Sequence, residues 1–313
     1  MATDTAIALS ILIATKDRGP FLGPLFESLQ GALAALPVGA EIIVIDNNSA
    51  DETGRVIDEW ATRLPELIHL VEPQPGKSRA LNQGLQRARA QLLVFTDDDV
   101  CVPADYLTEV WRFFAEYPHY DAAGGRVRLP PEVTDPELLA RVARYRSLPL
   151  YDGGDAVGDG KGLAGCNMAL RRRVFDVIGP FNERLGPGAS GAHEDADLVA
   201  RIHAAGLRIG YMPGAIIYHA VDPARFTADA FREFQRRMAR SLYALDPRHA
   251  WRKSAGRLPG ILIGFAWWSL WRNHARRTRA WARTILHMEV VRLRVRDGWT
   301  PPPPLVDWNR QGR

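Results

Sequence analysis

Four nearly unbroken apolar runs lie in the first hundred residues, each separated from the next by residues at helical spacing. No other feature restricts the fold of this chain as strongly. Ile7-Ala8-Leu9-Ser10-Ile11-Leu12-Ile13-Ala14 is the first run, and Phe21, Leu25, Leu29 and Leu33 follow at a helical period. Glu41-Ile42-Ile43-Val44-Ile45-Asp46 is the second; Asp51 can then cap a helix carrying Val56, Ile57 and Trp60. Leu67 to Val71 and Gln91 to Thr96 complete the set, with a third helix expected from Ser78 to Ala90. Strands that are apolar on both faces and alternate with helices predict a parallel sheet covered on both sides, an α/β fold.

Ligands of such sheets bind outside the carboxyl ends of the strands. Those ends carry Thr15-Lys16-Asp17-Arg18, Asp46 and Asp97-Asp98-Asp99. Alternate residues of an extended chain point the same way, so Asp97 and Asp99 can converge while Asp98 points away. Two ionised carboxylates on one face repel unless a cation or donor groups neutralise them. Hard divalent ions such as Mg2+ or Mn2+ suit oxygen ligands and bridge to phosphates. The alternative for the triplet read alone is a solvated turn or a helix N-cap cluster; its place at the carboxyl end of a strand favours metal and nucleotide.

The middle of the chain is less regular. A helix is expected from Leu107 to Tyr117, and a strand from Tyr120 to Leu129 broken by Gly124-Gly125. A Gly- and Asp-rich stretch from Leu148 to Gly162 has the length of a lid. Gly165 to Arg171 reads as a strand, Glu194 to Ala205 as a helix, and Ala215 to His219 as a last strand after the turn Met212-Pro213-Gly214. Beyond Phe226 the pattern becomes helical and Arg-rich, and it ends in four prolines, Pro301 to Pro304.

Charge separates the two regions. Between Trp251 and Arg296 eleven Lys and Arg face one acid, Glu289, inside a chain of net charge +4, so the rest of the chain is acidic. The apolar stretch Leu258 to Trp271 is 14 residues long, short of the roughly 20 that span a bilayer. Two readings suit it: peripheral membrane contact through 258–296, with aromatic side chains in lipid and Arg toward anionic headgroups, or aromatics that cap a protein core. No nucleic-acid-binding motif accompanies the basic stretch. Cys101 and Cys166 are too few for a disulfide framework and read as free thiols of a reducing compartment. The first residues lack the pattern of a signal peptide, so the expected location is cytoplasmic, at the inner face of the membrane if the tail binds lipid.

An ordered set of motifs ties these pieces together. Ser10 to Arg18, Ile43 to Thr53, Gly76-Lys77-Ser78-Arg79-Ala80-Leu81-Asn82, Phe95 to Asp99, Gly165-Cys166-Asn167-Met168-Ala169, Ile178 to Glu183, His193-Glu194-Asp195-Ala196-Asp197 and Pro213 to His219 follow one another over residues 8 to 220. In that order the chain resembles a family 2 glycosyltransferase. The resemblance implies the GT-A fold, a Rossmann-like and mostly parallel sheet flanked by helices, over residues 1–225. Residues 226–313 would be a helical, Arg- and Trp-rich extension. It further implies an inverting, metal-dependent enzyme that moves a sugar from a nucleotide-diphosphate sugar, expected to be a UDP-sugar, to a hydroxyl of a glycan, lipid-linked glycan or small molecule.

The same resemblance distributes roles. Asp97, Asp99 and His219 would hold Mn2+ or Mg2+; Thr15, Arg18, Asp46, Lys77, Arg79, Asp97 and Asp98 would contact the nucleotide sugar. Asn82 would support the Lys77–Arg79 loop. Asp195 would be the catalytic base, with Glu194 and Asn167 near acceptor or sugar. Lys16-Asp17 stands where the family usually has an aromatic residue and Asn. Two rival functions share this architecture: a sugar-phosphate nucleotidyltransferase, which wants a better triphosphate loop than Thr15 to Pro20 offers, and a non-catalytic membrane scaffold, which has no need of the acidic residues.

Overall fold

The structure, a computed structural model, describes residues 7–246, 250, 254 and 274–296. The chain divides into two compact units. The first comprises Met1–Pro131, Pro149–Glu183 and Glu194–Ala220. The second comprises Glu132–Leu148, Arg184–His193 and Val221–Arg313.

The first unit is built on one sheet. β1 (Ile7–Thr15), β2 (Gly39–Asp46), β3 (Leu67–Val71) and β4 (Leu92–Thr96) lie parallel in the order β3-β2-β1-β4. The crossovers are α1 (Gly19–Ala35), α2 (Thr53–Ala61) and α3 (Lys77–Arg87). The period of two along each strand divides the apolar residues between two cores. Leu9, Ile11 and Ile13, with Ile42, Val44 and Val94, pack with Leu22, Phe26 and Leu29 of α1. Leu12, Ile43, Ile45, Leu93 and Phe95 face the other way, against Leu81 and Leu85 of α3. Both faces are therefore buried, the condition for a central parallel sheet.

The sheet continues past β4 through β8 (Asn167–Arg171), β6 (Ala122–Arg128), β9 (Ile209–His219) and β5 (Val100–Cys101). β8 runs antiparallel to both β4 and β6, whereas β6 and β9 are parallel. The short β7 (Gly158–Asp159) pairs with β9. α4 (Tyr106–Glu116), α6 (Arg173–Ile178) and α7 (Glu194–Ala204) complete this unit.

Two local expectations are corrected. Gly124-Gly125 does not break its strand. A Cβ at Gly125 would overlap the Ala215 carbonyl oxygen and the Asn167 amide, so glycine is required there by close approach. Met212-Pro213-Gly214 is not a turn either, because β9 runs through it. The pairing steps from Gly125–Met212 to Arg126–Ile216, so the extra residues of β9 are absorbed as an irregularity. Proline is tolerated in a strand at such a place. The Gly- and Asp-rich stretch is tied to the sheet in this structure: Tyr151 bridges to Val127, and Arg126 binds Gly154 O and Asp155.

The second unit is helical among its described residues. α5 (Pro136–Tyr145) is capped by Asp135, whose side chain accepts from Glu137 N, and Arg141 donates to the Pro223 and Phe226 carbonyls. α8 (Ala228–Leu245) packs against α9 (His274–Arg296) through Ala239, Tyr243, Val290 and Leu293, with the Phe231 and Trp281 rings 5.3 Å apart. Ser241 of α8 receives the Ala192 N–H at 2.9 Å. No described helix is long and apolar enough to cross a membrane. The apolar stretch 258–271 and the prolines 301–304 lie outside the described residues.

Candidate active site

The polar residues at the carboxyl edge of the sheet come together by strand register. β4 delivers Asp97, Asp98 and Asp99, and the next two residues form β5. There Val100 pairs with His219 and Cys101 with Tyr218, and Ala220 N donates to Asp99 O at 2.8 Å. This two-residue strand places a histidine 120 positions further along beside the acidic triplet. Carboxylate oxygens of Asp97 and Asp99 and a ring nitrogen of His219 all lie within 4.8 Å of one another.

The hydrogen bonding of His219 bears on what this cluster can hold. Its Nδ1 is 3.0 Å from the Ala220 carbonyl oxygen, which can only accept, so Nδ1 carries the proton. A ring protonated at Nδ1 alone presents the Nε2 lone pair to Asp99 Oδ1, 3.5 Å away. Two acceptors facing each other in a buried place call for a proton or a cation between them. Two carboxylates and an imidazole form a donor set suited to Mn2+ and compatible with Mg2+. The three residues thus fit a divalent ion.

Cations flank the cluster. Arg18, just beyond β1, donates to Asp99 Oδ2 at 2.8 Å, stands 3.5 Å from Asp98 and lies 4.6 Å over the Phe21 ring. Lys77 donates to Asp97 and lies 3.5 Å from Glu194. Burial by itself would lower the Lys77 pKa, but Asp97 and Glu194 outweigh it and hold the ammonium well above its ordinary value. Burial, reinforced by Asp99, pushes the Asp98 carboxyl up to about 6. Glu194 is also raised, chiefly by burial and against the pull of Lys77. Among the described residues the neighbourhood holds five carboxylates (Asp97, Asp98, Asp99, Glu194 and Asp195) and two cationic side chains, Arg18 and Lys77. That imbalance favours the arrival of further positive charge.

Asp195 enters from α7. Its Oδ2 accepts from Gly165 N at 3.3 Å, and a Cβ at Gly165 would lie 3.8 Å from that oxygen and 3.9 Å from Lys77 Nζ. Gly165 owes its place to β8: Thr96 pairs with Asn167, and Thr96 Oγ1 donates to Cys166 O at 2.9 Å. The acids Glu194 and Asp195 sit in the first turn of their helix, where the macrodipole favours negative charge. The Cys166 thiol, buried beside Asp97, is pushed well up and stays protonated.

The other expected residues have definite places. Thr15 is buried and pairs in register with Asp46. Asp46 accepts from Ser49 N and Ser49 Oγ at 2.8 and 2.6 Å and so shapes the turn after β2. Asn47 receives Gly76 N at 2.8 Å, and Lys16 donates to the Asn47 and Asn48 carbonyls. Arg79 pairs with Glu183 at 2.8 Å and does not join the acidic cluster. Asn82 bonds the backbone of Phe181 in both directions, consistent with a bracing role. Asn167 is 0% exposed; its amide donates to Arg126 O and Ala215 O and accepts from Tyr106. The sequence suggested a contact with acceptor or sugar for it; in this structure its amide is engaged within the sheet by Tyr106, Arg126 and Ala215.

Sequence reasoning assigned Lys77 to the nucleotide and missed its pairing with Asp97 and Glu194. A signal was present. Lys77-Ser78-Arg79 opens a helix, where the macrodipole disfavours cations, so the basic residues must answer to nearby anions. Gly76, at φ +140°, sets the entry into that helix.

Residues 10–179, more than half of the chain, match the sequence profile described as Glycosyl transferase family 2. The chain belongs to this family. Its membership separates it from the nucleotidyltransferases of similar architecture and makes it a glycosyltransferase. Among curated relatives, the family 2 chain is 26% identical over 281 residues to the succinoglycan biosynthesis protein ExoM of Rhizobium meliloti (strain 1021), covering 88% of this chain and 89% of that one. It is 25% identical over 211 residues to the beta-monoglucosyldiacylglycerol synthase of Synechocystis sp. (strain ATCC 27184 / PCC 6803 / Kazusa), covering 64% of this chain and 41% of that protein. Among solved structures it resembles the mannosyltransferase PcManGT from Pyrobaculum calidifontis, in complex with GDP-Man and Mn2+. There the TM-score is 0.55 at 20% identity, with 95% of this chain and 91% of that chain covered. The fold is that of the GT-A glycosyltransferases, as the sequence predicts.

Proposed function

We propose that this family 2 chain transfers a sugar from a nucleotide-diphosphate sugar to an acceptor hydroxyl, with inversion at the anomeric carbon. One observation carries the reading: Asp195, bonded to Gly165 N, acts on the same Lys77 ammonium that pairs with Asp97 of the Asp97, Asp99 and His219 cluster. A candidate proton acceptor and a candidate diphosphate site therefore share one edge of one sheet. Asp97, Asp99 and His219 would hold Mn2+ or Mg2+, which when bound neutralises charge developing on the diphosphate leaving group. Arg18 and Lys77, charged and partly buried, are suited to the phosphate oxygens and would exchange their carboxylate partners for them. Thr15, Asp46 and Arg79, around the ends of β1, β2 and the start of α3, supply polar groups for the base and ribose. An alcohol is a weak nucleophile at neutral pH, and Asp195 would take its proton as it attacks the anomeric carbon. Glu194 would orient the acceptor beside that base.

Residues 1–225 carry the chemistry in this reading and 226–313 form the extension. The acceptor is a glycan or lipid-linked glycan, supported by a relative named for succinoglycan biosynthesis. The site would lie on the cytoplasmic side, where nucleotide sugars are made. UDP is the nucleotide that the sequence resemblance favours. GDP is the alternative, since GDP-Man occupies the structurally similar mannosyltransferase.

Thermal midpoints with UDP, GDP and dTDP, each with and without Mn2+, test the donor site. A ligand that binds only the folded state raises the midpoint by mass action. The expected result is a metal-dependent rise with one nucleotide that disappears in Asp99→Asn. Asp195→Asn should keep that rise and lose about 10²–10⁴-fold in turnover. No rise with any nucleotide at millimolar concentration would overturn the reading.

A further inference from the structure

The carboxyl edge of the sheet extends past the acidic cluster to a second group of side chains that the proposed transfer leaves unused. β9 occupies one edge of β6, with Arg126, Val127 and Arg128 beside Ile216, Ile217 and Tyr218. β8 pairs with the other edge as far as Gly124, opposite Met168. Beyond it Val127 exchanges hydrogen bonds with Tyr151, its N–H donating at 2.8 Å and its carbonyl accepting at 3.0 Å. Tyr151 therefore lies on the side of β6 that faces β4. Asn167 fixes the level. It pairs with Thr96 of β4, and extending the β6 register by one residue sets it opposite Gly125. Val127 is then level with Asp98, two strand spacings or about 10 Å away. Gly165, two residues before β8 begins, binds Asp195. The candidate proton acceptor is thus anchored between β4, which carries the candidate diphosphate site, and β6, which carries this group.

The group is a turn fixed by a buried cation. Arg126 binds Gly154 O and Asp155 and donates to the Tyr211 hydroxyl at 3.0 Å, and that hydroxyl also receives Gly153 N at 2.9 Å. The exposed Tyr151 ring meets the Tyr211 ring edge-on at 5.5 Å. Arg128 donates twice to Asp152 Oδ2, at 2.7 and 3.2 Å, while 42% and 45% of the two side chains stay exposed. Ion pairs so exposed add little to stability, so this one is of small account as scaffold.

These side chains match one chemical class. A pyranose has apolar C–H faces and a rim of hydroxyls. An exposed aromatic ring takes a face. A carboxylate fixed beside a guanidinium accepts from one hydroxyl while the guanidinium donates to the next, both by charge-assisted bonds. Arg126 and Arg128 are answered by Asp152 and Asp155, so these four side chains carry no excess charge. That balance suits an uncharged sugar better than a uronate or a phosphate.

We propose that Tyr151, Asp152 and Arg128 form the subsite for an uncharged pyranose at the end of the acceptor. The proposal rests on the transferase reading, since it makes this sugar the acceptor, but sugar binding is measured without any transfer.

The experiment is saturation-transfer NMR on the full chain with methyl β-D-glucopyranoside, methyl β-D-galactopyranoside and methyl α-D-mannopyranoside, and with the uronide of each. At least one neutral glycoside should bind saturably, and its uronide more weakly. Tyr151→Ala should weaken that glycoside about fivefold. Asp152→Asn should weaken it about tenfold by removing a charged acceptor. Tyr151→Phe, which keeps the ring, should bind as the unmodified chain does. Circular dichroism and the melting midpoint report whether each variant folds.

Failure of all three neutral glycosides to saturate would overturn the proposal. Unchanged affinity in the folded Tyr151→Ala and Asp152→Asn variants would do so too, as would tighter binding of the uronide, which would assign Arg128 to an anion. Absence of sugar binding with the nucleotide-dependent rise intact refutes this proposal alone. Sugar binding that depends on Tyr151, without any nucleotide response, refutes the transferase reading and leaves the sugar subsite standing.

Discussion

Lys77→Met tests the electrostatic account of the site. The Lys77 ammonium lies between Asp97 and Glu194, and side-chain exposures are 17% for the lysine, 25% for Asp97 and 11% for Glu194. None is more than about a third exposed, so the pairing keeps much of its strength. Removing one partner of a buried pair costs about 3–5 kcal/mol, because the other charge is left uncompensated. Asp97 retains some water, which argues for the lower end, about 3 kcal/mol. At about 2–4 °C per kcal/mol for a unit of this size, the midpoint should fall by roughly 6–12 °C. Methionine nearly matches the lysine stem in length, so lost packing contributes little. Lys77→Met with Glu194→Gln separates charge from shape, since the second change removes one of the stranded carboxylates. The double variant should recover about half of the loss, a coupling of roughly 1.5 kcal/mol, within the range seen for residues of one network. The assay is urea unfolding at pH 7.5 without metal, followed by far-UV circular dichroism. A loss below 1 kcal/mol, or strictly additive changes, would refute the argument.

Two further predictions concern the scaffold. Glu41, buried at the start of β2, accepts from Ser10 Oγ, Arg89 N and Arg89 Nε at 2.7, 2.7 and 2.8 Å. Burial alone would raise its pKa, but these donors outweigh it and hold the carboxyl below 4.5. Its folded pKa is depressed, so its contribution is present above the unfolded value and is lost as pH falls through the folded one. Glu41→Gln should therefore lower stability by about 1–3 kcal/mol at pH 7 and flatten the acid limb below about pH 4.5. Melting midpoints from pH 3 to 7 check this, and parallel curves for the two proteins would contradict it. Gly125→Ala should destabilise by about 2–3 kcal/mol through overlap with Ala215 and Asn167. A urea midpoint corresponding to a loss under 1 kcal/mol would show that the sheet yields there more easily than its packing implies.

Much of the site was legible because its parts are local. A strand that is apolar on both faces announces its own burial, so the polar residues at its end stand out: Thr15 and Arg18, Asp46, and Asp97 to Asp99. The acidic start of α7 and the His219 strand end were equally readable from contiguous residues. Other features resisted reading because the sequence signal and the structural cause lie far apart. Pro213-Gly214 has the composition of a turn, yet β6 pairs with β9 on both sides of it and turns the pair into a register irregularity. Asn167 was expected near acceptor or sugar, and its bonds to Tyr106, Arg126 and Ala215, all distant in sequence, could not be read from its own segment.

The sequence by itself determined the alternation of strand and helix, the two buried faces of the sheet, the edge at which polar groups collect and the family of the chain. Each follows from side-chain period and short-range spacing, which the chain carries wherever it folds. Only the tertiary structure decided that β5 sets His219 beside Asp99 and that Lys77 reaches Asp97 and Glu194. It also decided that α8 and α9 leave a largely apolar space whose lining includes both Asp246 and Arg283. Those outcomes depend on pairings between residues up to about 120 positions apart. Such contacts form only when many burial and register preferences are satisfied together, and no single segment encodes them.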